Sequence, residues 1–329
     1  MRFLLLILTW CLVPLSATEY YGPNLERFDY PYEVKRITLQ LQQQTLSMAY
    51  MELRPERPNG KSVLLLHGKN FTGAYWRDTA AALAAKGYRV VMPDQIGFGK
   101  SSKPEHLQYS FSMLARNTAA LMDALGIEKS HVLGHSMGGM LATRYALMFP
   151  ERIDRLILEN PIGLEDWQRF VPNPSLEYWY ERELGKSAET IYRYQLQSYY
   201  DGRWKAEYRP WVDMLASFTL GADYPRIAWN QAKIAQMIFS EPVCHQFDQL
   251  RMPVLLIIGQ RDKTALGKEL ASPETRSLMG DYPKLGRKTA EAIPQAELLE
   301  LEGIGHMPHI EAFERFIEGI TTFLAEPGA

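Results

Sequence analysis

Short apolar runs alternate with longer amphipathic stretches over most of this 329-residue chain. Runs such as Ser62–Leu66 and Pro253–Ile258 carry no charge, as in strands that are buried on both faces of a sheet. Phe111–Leu125 is typical of the amphipathic helices between them. The repetition predicts an α/β fold with a mostly parallel sheet. The first two strands, Val34–Gln40 and Leu46–Leu53, are expected to be antiparallel because no helix lies between them.

The alternation stops between Pro161 and about His245. Five of the seven Trp of the chain lie in this window, and stretches such as Ala188–Tyr200 have helical spacing. We predict that residues 161–246 form a helical cap, inserted into a core domain of residues 18–160 and 247–329. Ligands of such sheets bind at the carboxyl ends of the strands, so the aromatic cap would cover the site.

The amino terminus has the layout of a secretory signal peptide. Met1-Arg2 is followed by the uncharged run Phe3–Leu15 and by the small residues Ser16-Ala17. We therefore expect cleavage after residue 17 and a secreted or periplasmic protein. The run is short for a membrane span, which needs about 20 residues. The prediction is thus no stable membrane insertion after cleavage, with an uncleaved anchor as the alternative.

Charge and motif content exclude several classes of function. Lys and Arg number 36 against 38 Asp and Glu, so no basic surplus points to nucleic acid. Two Cys cannot supply a disulfide framework. The sequence contains no H-E-x-x-H, C-x-x-C or P-loop motif, and we predict neither a metal nor a cofactor. A small-molecule substrate is the expected partner, and the oligomeric state stays open.

The segment Gly134-His135-Ser136-Met137-Gly138 matches the G-x-S-x-G nucleophile elbow. An apolar strand precedes it and a helix follows it, as that motif requires. Small residues are needed at Gly134 and Gly138, because Ser136 must sit on a sharp turn that lifts its hydroxyl above the sheet edge. The turn also places the amide of Met137 at a helix start, where partial positive charge favours an oxyanion.

A second backbone donor is expected from the turn His67-Gly68-Lys69-Asn70, which follows an apolar strand. The amide of Lys69 would complete the oxyanion hole with that of Met137; losing one such donor costs about 10²–10³ in rate. His67 is predicted to brace the loop. Two interpretations of the Lys69 side chain stay open, namely contact with an acidic substrate group and exposure to solvent.

Two further residues complete a catalytic triad with Ser136. Asp262 follows a buried strand, and His306 follows the last strand, so both are expected at the same sheet edge. His306 would take the serine proton, and Asp262 would hold the imidazole in the correct tautomer. Glu159 is the competing acid. His309 is predicted to be structural.

The chain order Ser136, Asp262, His306 is that of the α/β-hydrolases. The sequence resembles capped members of that fold, of the haloalkane dehalogenase, C–C hydrolase and proline iminopeptidase type. The resemblance covers residues of about 35–160 and 248–325, and it implies an eight-stranded sheet with helices on both faces, a mobile cap and no cofactor. The matching segments are His67-Gly68, Pro93–Ser101, the Ser136 elbow, Gly259–Asp262 and Gly305–Pro308.

Departures from these relatives narrow the predicted reaction. Haloalkane dehalogenases and epoxide hydrolases have an Asp nucleophile where this chain has Ser136, and Asn70 replaces the Pro of the epoxide hydrolase loop. The leading prediction is a serine carboxylesterase for an apolar or aromatic small molecule. An aminopeptidase and a C–C bond hydrolase are the alternatives. A non-catalytic binding protein on the same fold is the hypothesis from another class.

Overall fold

A computed structural model of the chain describes residues 19–325, and these contain one eight-stranded sheet in the order β1-β2-β4-β3-β5-β6-β7-β8. β1 pairs antiparallel with β2, β2 pairs antiparallel with β4, and the other neighbours are parallel. The predicted α/β class, the antiparallel start and the eight strands are confirmed. The strands are β1 (Val34–Leu41), β2 (Gln44–Leu53), β3 (Ser62–Leu66), β4 (Arg89–Pro93), β5 (Ser130–His135), β6 (Ile153–Glu159), β7 (Val254–Gly259) and β8 (Ala296–Leu301).

Helices cover both faces of the sheet because alternate residues of each central strand point to opposite sides. In β3, Leu64 and Leu66 pack in one apolar cluster, whereas Val63 and Leu65 pack in the other. Helices α2 and α3 join the first cluster, and α1 and α11 join the second. The helices outside the β6–β7 connection are α1 (Arg77–Ala85), α2 (Phe111–Ala124), α3 (Met137–Met148), α8 (Pro273–Leu278), α9 (Tyr282–Ala292), α10 (Pro308–Glu311) and α11 (Phe313–Ala325).

The long connection between β6 and β7 is helical, and none of its residues, all of them described, lies in a strand. It contains α4 (Leu176–Leu184), α5 (Ala188–Tyr194), α6 (Arg209–Phe218) and α7 (Tyr224–Ser240). We call this connection the cap. Several of its aromatic rings are buried within it, as shown by Tyr200 and Tyr208, whose rings stack 3.8 Å apart. Much of the aromatic excess therefore serves packing.

The predicted signal peptide, residues 1–17, lies outside the described residues. Between residues 19 and 325, the chain forms no helix whose length and apolar character would let it cross a bilayer.

Candidate active site

Ser136 lies on a strained turn between β5 and α3. Its backbone has φ 56° and ψ −120°, a conformation that a residue with a side chain adopts only under constraint. The two flanking glycines allow the turn to close. A Cβ at Gly134 would lie 2.1 Å from the carbonyl oxygen of Gly138, and a Cβ at Gly138 would lie 2.1 Å from that of Leu66. Any larger residue at either position would push the serine off the end of the strand.

Asp262 and His306 are in direct contact. Nδ1 of His306 donates to Oδ2 of Asp262 at 2.6 Å, and both side chains are buried. Oδ2 also accepts a hydrogen bond from the Asn160 side chain at 2.7 Å, while Oδ1 accepts from the amide of Thr264 at 2.8 Å. The carboxylate is thus held on both oxygens. With Nδ1 engaged, Nε2 of His306 is the nitrogen left to act as a base.

Glu159, the competing acid of the sequence analysis, is hydrogen-bonded to His309. Oε1 of Glu159 accepts from Nδ1 of His309 at 2.8 Å and from the amide of His309 at 2.9 Å. The His309 ring packs on those of Trp76 and Tyr75, with centroids 4.6 Å away in each case. Two buried histidine–carboxylate pairs are therefore present in the described part of the chain, and His306 belongs to the pair with Asp262.

Ser136 borders the loop of residues 67–70, which we call the oxyanion loop because it is expected to form part of the oxyanion hole. A Cβ built at Gly68 would lie 3.2 Å from Cβ of Ser136, so a side chain at this position would crowd the serine. Ser136 is 6% exposed under the cap. Within the described residues 19–325, its hydroxyl makes no hydrogen bond to the His306 ring, and such bonds commonly tighten only when substrate is present.

His67 braces the oxyanion loop as predicted. Its Nδ1 donates to the carbonyl of Gly68 at 2.9 Å, and its Nε2 accepts from the amide of Gln95 at 3.0 Å. Burial lowers the pKa of this histidine, which keeps the ring neutral and fits one nitrogen donating while the other accepts. The loop that carries the Lys69 amide is therefore tied to the segment after β4.

The Lys69 side chain does not extend into solvent. Its ammonium donates to Oε1 of Glu183 on α4 at 2.7 Å, and Lys186 donates to the other oxygen at 2.5 Å. Burial lowers the pKa of Lys69 to about 8, although Glu183 opposes this. Burial also disfavours the charge on Glu183, but the ammonium groups of Lys186 and Lys69 outweigh it and lower that pKa to about 2. The pair joins the oxyanion loop to the cap.

Tyr199 of the cap contacts both halves of the site, a role that the sequence did not reveal. Its carbonyl accepts from the amide of His306 at 2.9 Å, and its ring stacks on the His306 ring with centroids 4.9 Å apart. Its hydroxyl accepts from the Asn70 side chain at 2.7 Å. Tyr199 ends a single π-helical turn, Gln195–Tyr199, and such turns are frequent at functional sites.

Among residues 19–325, His, Cys, Asp and Glu side chains form no group of three or more that could hold a metal ion. The buried acid–histidine pair, the strained serine and the neighbouring backbone amides are instead the parts that nucleophilic acyl transfer requires.

Known proteins resemble this chain in sequence and in fold. The sequence model of one family, described as the alpha/beta hydrolase fold, matches residues 61–313. Lipase 1 of Psychrobacter immobilis is 27% identical over 301 residues, which are 89% of this chain and 86% of that protein. A 2-hydroxy-6-oxo-6-phenylhexa-2,4-dienoate hydrolase of Comamonas testosteroni is 36% identical over 194 residues, 53% of this chain and 66% of the other.

A crystal structure of a probable hydrolytic enzyme from Pseudomonas aeruginosa superimposes with a TM-score of 0.93 at 48% sequence identity. The alignment covers 94% of this chain and 99% of that one. Cap and sheet are therefore shared along nearly the whole length of both chains.

Proposed function

Because the chain belongs to the α/β-hydrolase fold family and is a hydrolase, we propose that it is a serine carboxylesterase. Ser136 is the nucleophile, His306 the general base and Asp262 the residue that orients the base. The observation that carries the proposal is the buried 2.6 Å contact between Asp262 and His306, at the same sheet edge as a serine with φ 56°. A plain turn serine has no need of that strained backbone or of a charged partner nearby.

The reaction follows from these positions. Nε2 of His306 removes the hydroxyl proton as Oγ of Ser136 attacks the ester carbonyl, and the amides of Met137 and Lys69 stabilise the oxyanion. His306 then gives its proton to the leaving alcohol, which leaves an acyl-serine. Water, deprotonated by the same nitrogen, attacks the acyl group; the bond to Oγ breaks, His306 returns the proton to Oγ of Ser136, and the acid is released. Asp262 stabilises the imidazolium in both steps and is not itself protonated.

Two observations favour esters over peptides. One relative that covers most of the chain is named a lipase. The cap carboxylate beside the oxyanion loop, Glu183, is bonded by both Lys69 and Lys186, so it is not available to bind the amino terminus of a peptide. The substrate is proposed to be a small molecule with apolar parts, because aliphatic and aromatic side chains of the cap line the cavities beside the loop.

A C–C bond hydrolase is the second candidate. The support is the 36% identity to a dienoate hydrolase over 194 residues. Since the same nucleophile and base serve both reactions, the choice depends on substrate and needs a direct assay.

The proposal is tested by labelling the purified protein with a fluorophosphonate, with 4-nitrophenyl acetate and butyrate assayed in the same buffer. We expect labelling and ester turnover, and loss of both in Ser136→Ala. Ser187→Ala, at an exposed cap serine, is the matched control and should label fully. Labelling without ester turnover would favour the C–C hydrolase. Folded protein that is not labelled would overturn the enzyme proposal in favour of a binding protein.

We also propose that the protein is secreted or periplasmic after removal of residues 1–17. The support is the charge and hydropathy layout of Met1–Ala17. Sequencing of the amino terminus of protein recovered outside the cytoplasm should give a chain that begins at Thr18. Recovery of the intact chain in the membrane fraction would show an uncleaved anchor instead.

A further inference from the structure

Two neighbouring cavities lie between cap and core beside the oxyanion loop. The larger measures about 240 Å³ and the smaller about 50 Å³. They share lining residues, including Lys69, Glu183 and Lys186, and both contain the loop residue Asn70. The side chain of Lys69 therefore faces these cavities, while its amide belongs to the proposed oxyanion hole.

The charges around the cavities do not balance. The described residues with charged side chains that line them are the cations Lys69, Lys103, Arg182 and Lys186 and one anion, Glu183. Arg182 is compensated outside the cavities by Glu269, at 3.2 Å. The single carboxylate of Glu183 is shared by two ammonium groups, each of which uses one of its three N–H donors on it. Each ammonium group therefore keeps two N–H donors that are not used on Glu183, and the side chains of Lys69 and Lys186 are 12% and 31% exposed.

Lys103 adds a third ammonium group to the wall of the smaller cavity. It is buried, and its partners are the main-chain carbonyls of Gly99 at 2.5 Å and Ser101 at 3.3 Å. No carboxylate compensates it by direct contact within the described part of the chain. Burial lowers its pKa to about 7, against the more distant attraction of Asp94. A buried cation in this condition is stabilised by any anion that approaches it.

The rest of the lining is largely apolar, with Ile191, Leu215 and Phe218 among its residues. We propose that these cavities form a subsite for the carboxylate of the substrate, bound by Lys69 and Lys186 with Lys103 behind them. The substrate is then an ester that carries a carboxylate at the end of an apolar chain or ring. This inference rests on the proposed esterase function, and it gives the Lys69 side chain a role in substrate selection.

Matched pairs of esters test the subsite. On the acyl side, 4-nitrophenyl hydrogen adipate is compared with 4-nitrophenyl hexanoate; on the alcohol side, 4-acetoxybenzoate is compared with 4-methylphenyl acetate. The uncatalysed rate of each is subtracted. We expect kcat/KM about tenfold higher for the anionic member of at least one pair, chiefly through KM. A preference for the neutral member in both pairs would overturn the proposal.

Variants distinguish a substrate-binding subsite from a purely structural contact, here called a latch, in which the same lysines only hold the cap against the core. Lys186→Met should reduce the preference for the anionic ester about tenfold, and Lys103→Met should reduce it in the same direction. Lys205→Met, at an exposed cap lysine paired with Glu207, should leave the preference unchanged. An equal loss on anionic and neutral esters in Lys186→Met would show a latch and overturn the proposal.

The pH dependence supplies a second readout. Lys69 faces Glu183, Lys186 and Arg182, and its pKa of about 8 means that it loses its charge above that pH. The KM for the anionic ester should rise above pH 8, while that for the neutral ester should not. A KM ratio that is flat from pH 6 to 9 would contradict a role for the Lys69 ammonium.

Binding to Ser136→Ala tests the subsite without turnover. Calorimetry should show hexanoate binding about tenfold more tightly than hexanamide, with the difference reduced in Ser136→Ala/Lys186→Met. Equal binding would overturn the subsite even if ester hydrolysis is confirmed. Tighter binding of hexanoate without any ester turnover would uphold the subsite and reject the esterase.

Discussion

The carbonyl of His306 accepts a hydrogen bond from Nε2 of His135 at 2.8 Å. A carbonyl only accepts, so Nε2 carries the proton. Burial lowers the pKa of His135 well below its usual value, and the nearby His306 and His309 add to this, so the ring is neutral and Nδ1 is an acceptor. The hydroxyl of Tyr75 therefore donates to Nδ1 at 3.0 Å and accepts from the amide of Gly68 at 2.9 Å.

These bonds form one directed chain from the oxyanion loop at Gly68 to the backbone of His306, the proposed general base. Every member is buried. His135, the residue before the proposed nucleophile, thus holds the backbone of the proposed base. Because His306 is also held at its amide by Tyr199, both its main-chain polar groups are fixed.

Removing the Tyr75 hydroxyl should weaken catalysis more than binding. Tyr75→Phe leaves the Gly68 amide and Nδ1 of His135 without partners and costs about 1–3 kcal/mol of stability. Loosening of the loop and the base by a fraction of an ångström should lower kcat on 4-nitrophenyl butyrate by about 10–100-fold with little change in KM.

Tyr88→Phe is the control for this experiment. Tyr88 is also buried, and its hydroxyl donates to the carbonyl of Leu324, but it is not part of the chain of bonds from Gly68 to His306. Its kcat should equal that of the wild type. Equal losses in the two variants would show that Tyr75 matters only for general stability.

Asp262→Asn and Glu159→Gln should differ sharply, although each neutralises a buried carboxylate bonded to a histidine. In Asp262→Asn the amide offers a donor where Nδ1–H of His306 needs an acceptor, so kcat should fall about 10⁴-fold. Glu159→Gln alters the anchor of His309 and should lower kcat less than tenfold. Steady-state assays of both variants decide this, and a larger effect at Glu159 would reassign the catalytic acid.

The positions of the proposed triad could be predicted because each residue lies within five residues of the carboxyl end of a strand. Ser136, Asp262 and His306 come after β5, β7 and β8, and parallel strands bring their carboxyl ends to one edge of a sheet. Apolar runs in the sequence predict the strands, and the place of each residue after its strand predicts that the three lie together. The same logic also places Glu159 at that edge as the competing acid, and the side-chain contacts pair Asp262 with His306 and Glu159 with His309.

The residues that reasoning from sequence missed depend on pairings that are distant along the chain. Asn160 reaches Asp262 because its backbone has φ 35° and its amide bonds the carbonyl of Ile257 on the next strand. Tyr199 reaches His306 from the end of a π turn, which periodicity does not reveal. A charged residue such as Glu183 is by default expected in solvent, and its partner Lys69 is 114 positions away.

Gly138→Ala should lower the unfolding free energy of the protein more than Gly126→Ala does. The new Cβ would lie 2.1 Å from the carbonyl oxygen of Leu66, and that backbone belongs to the central strand β3. We expect a loss of more than about 3 kcal/mol in unfolding free energy, together with loss of fluorophosphonate labelling.

Gly126→Ala is the comparison for Gly138→Ala. Gly126 has φ 66° and open space around the position of a Cβ, so the cost is the backbone strain alone, about 1 kcal/mol. Urea unfolding of both variants measures the difference. Similar values for the two would show that the contact with Leu66 relaxes easily.

Glu183→Gln should destabilise the protein in a manner that depends on pH. The unfolded side chain titrates near 4.5, whereas the folded pKa is about 2. Between these values the unfolded chain binds more protons, so the stabilisation by Glu183 is complete above pH 4.5 and is lost as the pH falls towards 2. At pH 7, removal of the charge leaves Lys69 and Lys186 without their carboxylate, at a cost of about 3 kcal/mol.

Urea unfolding of wild type and Glu183→Gln at pH 7, 4 and 3 measures this difference, which should shrink steadily with falling pH. Glu181→Gln, at an exposed residue of the same helix, is the control and should match the wild type at each pH. A difference between wild type and Glu183→Gln that does not change from pH 7 to 3 would mean that Glu183 acts through shape rather than charge. The two lysines would then not need it as a counter-ion, and the link between oxyanion loop and cap would not be electrostatic.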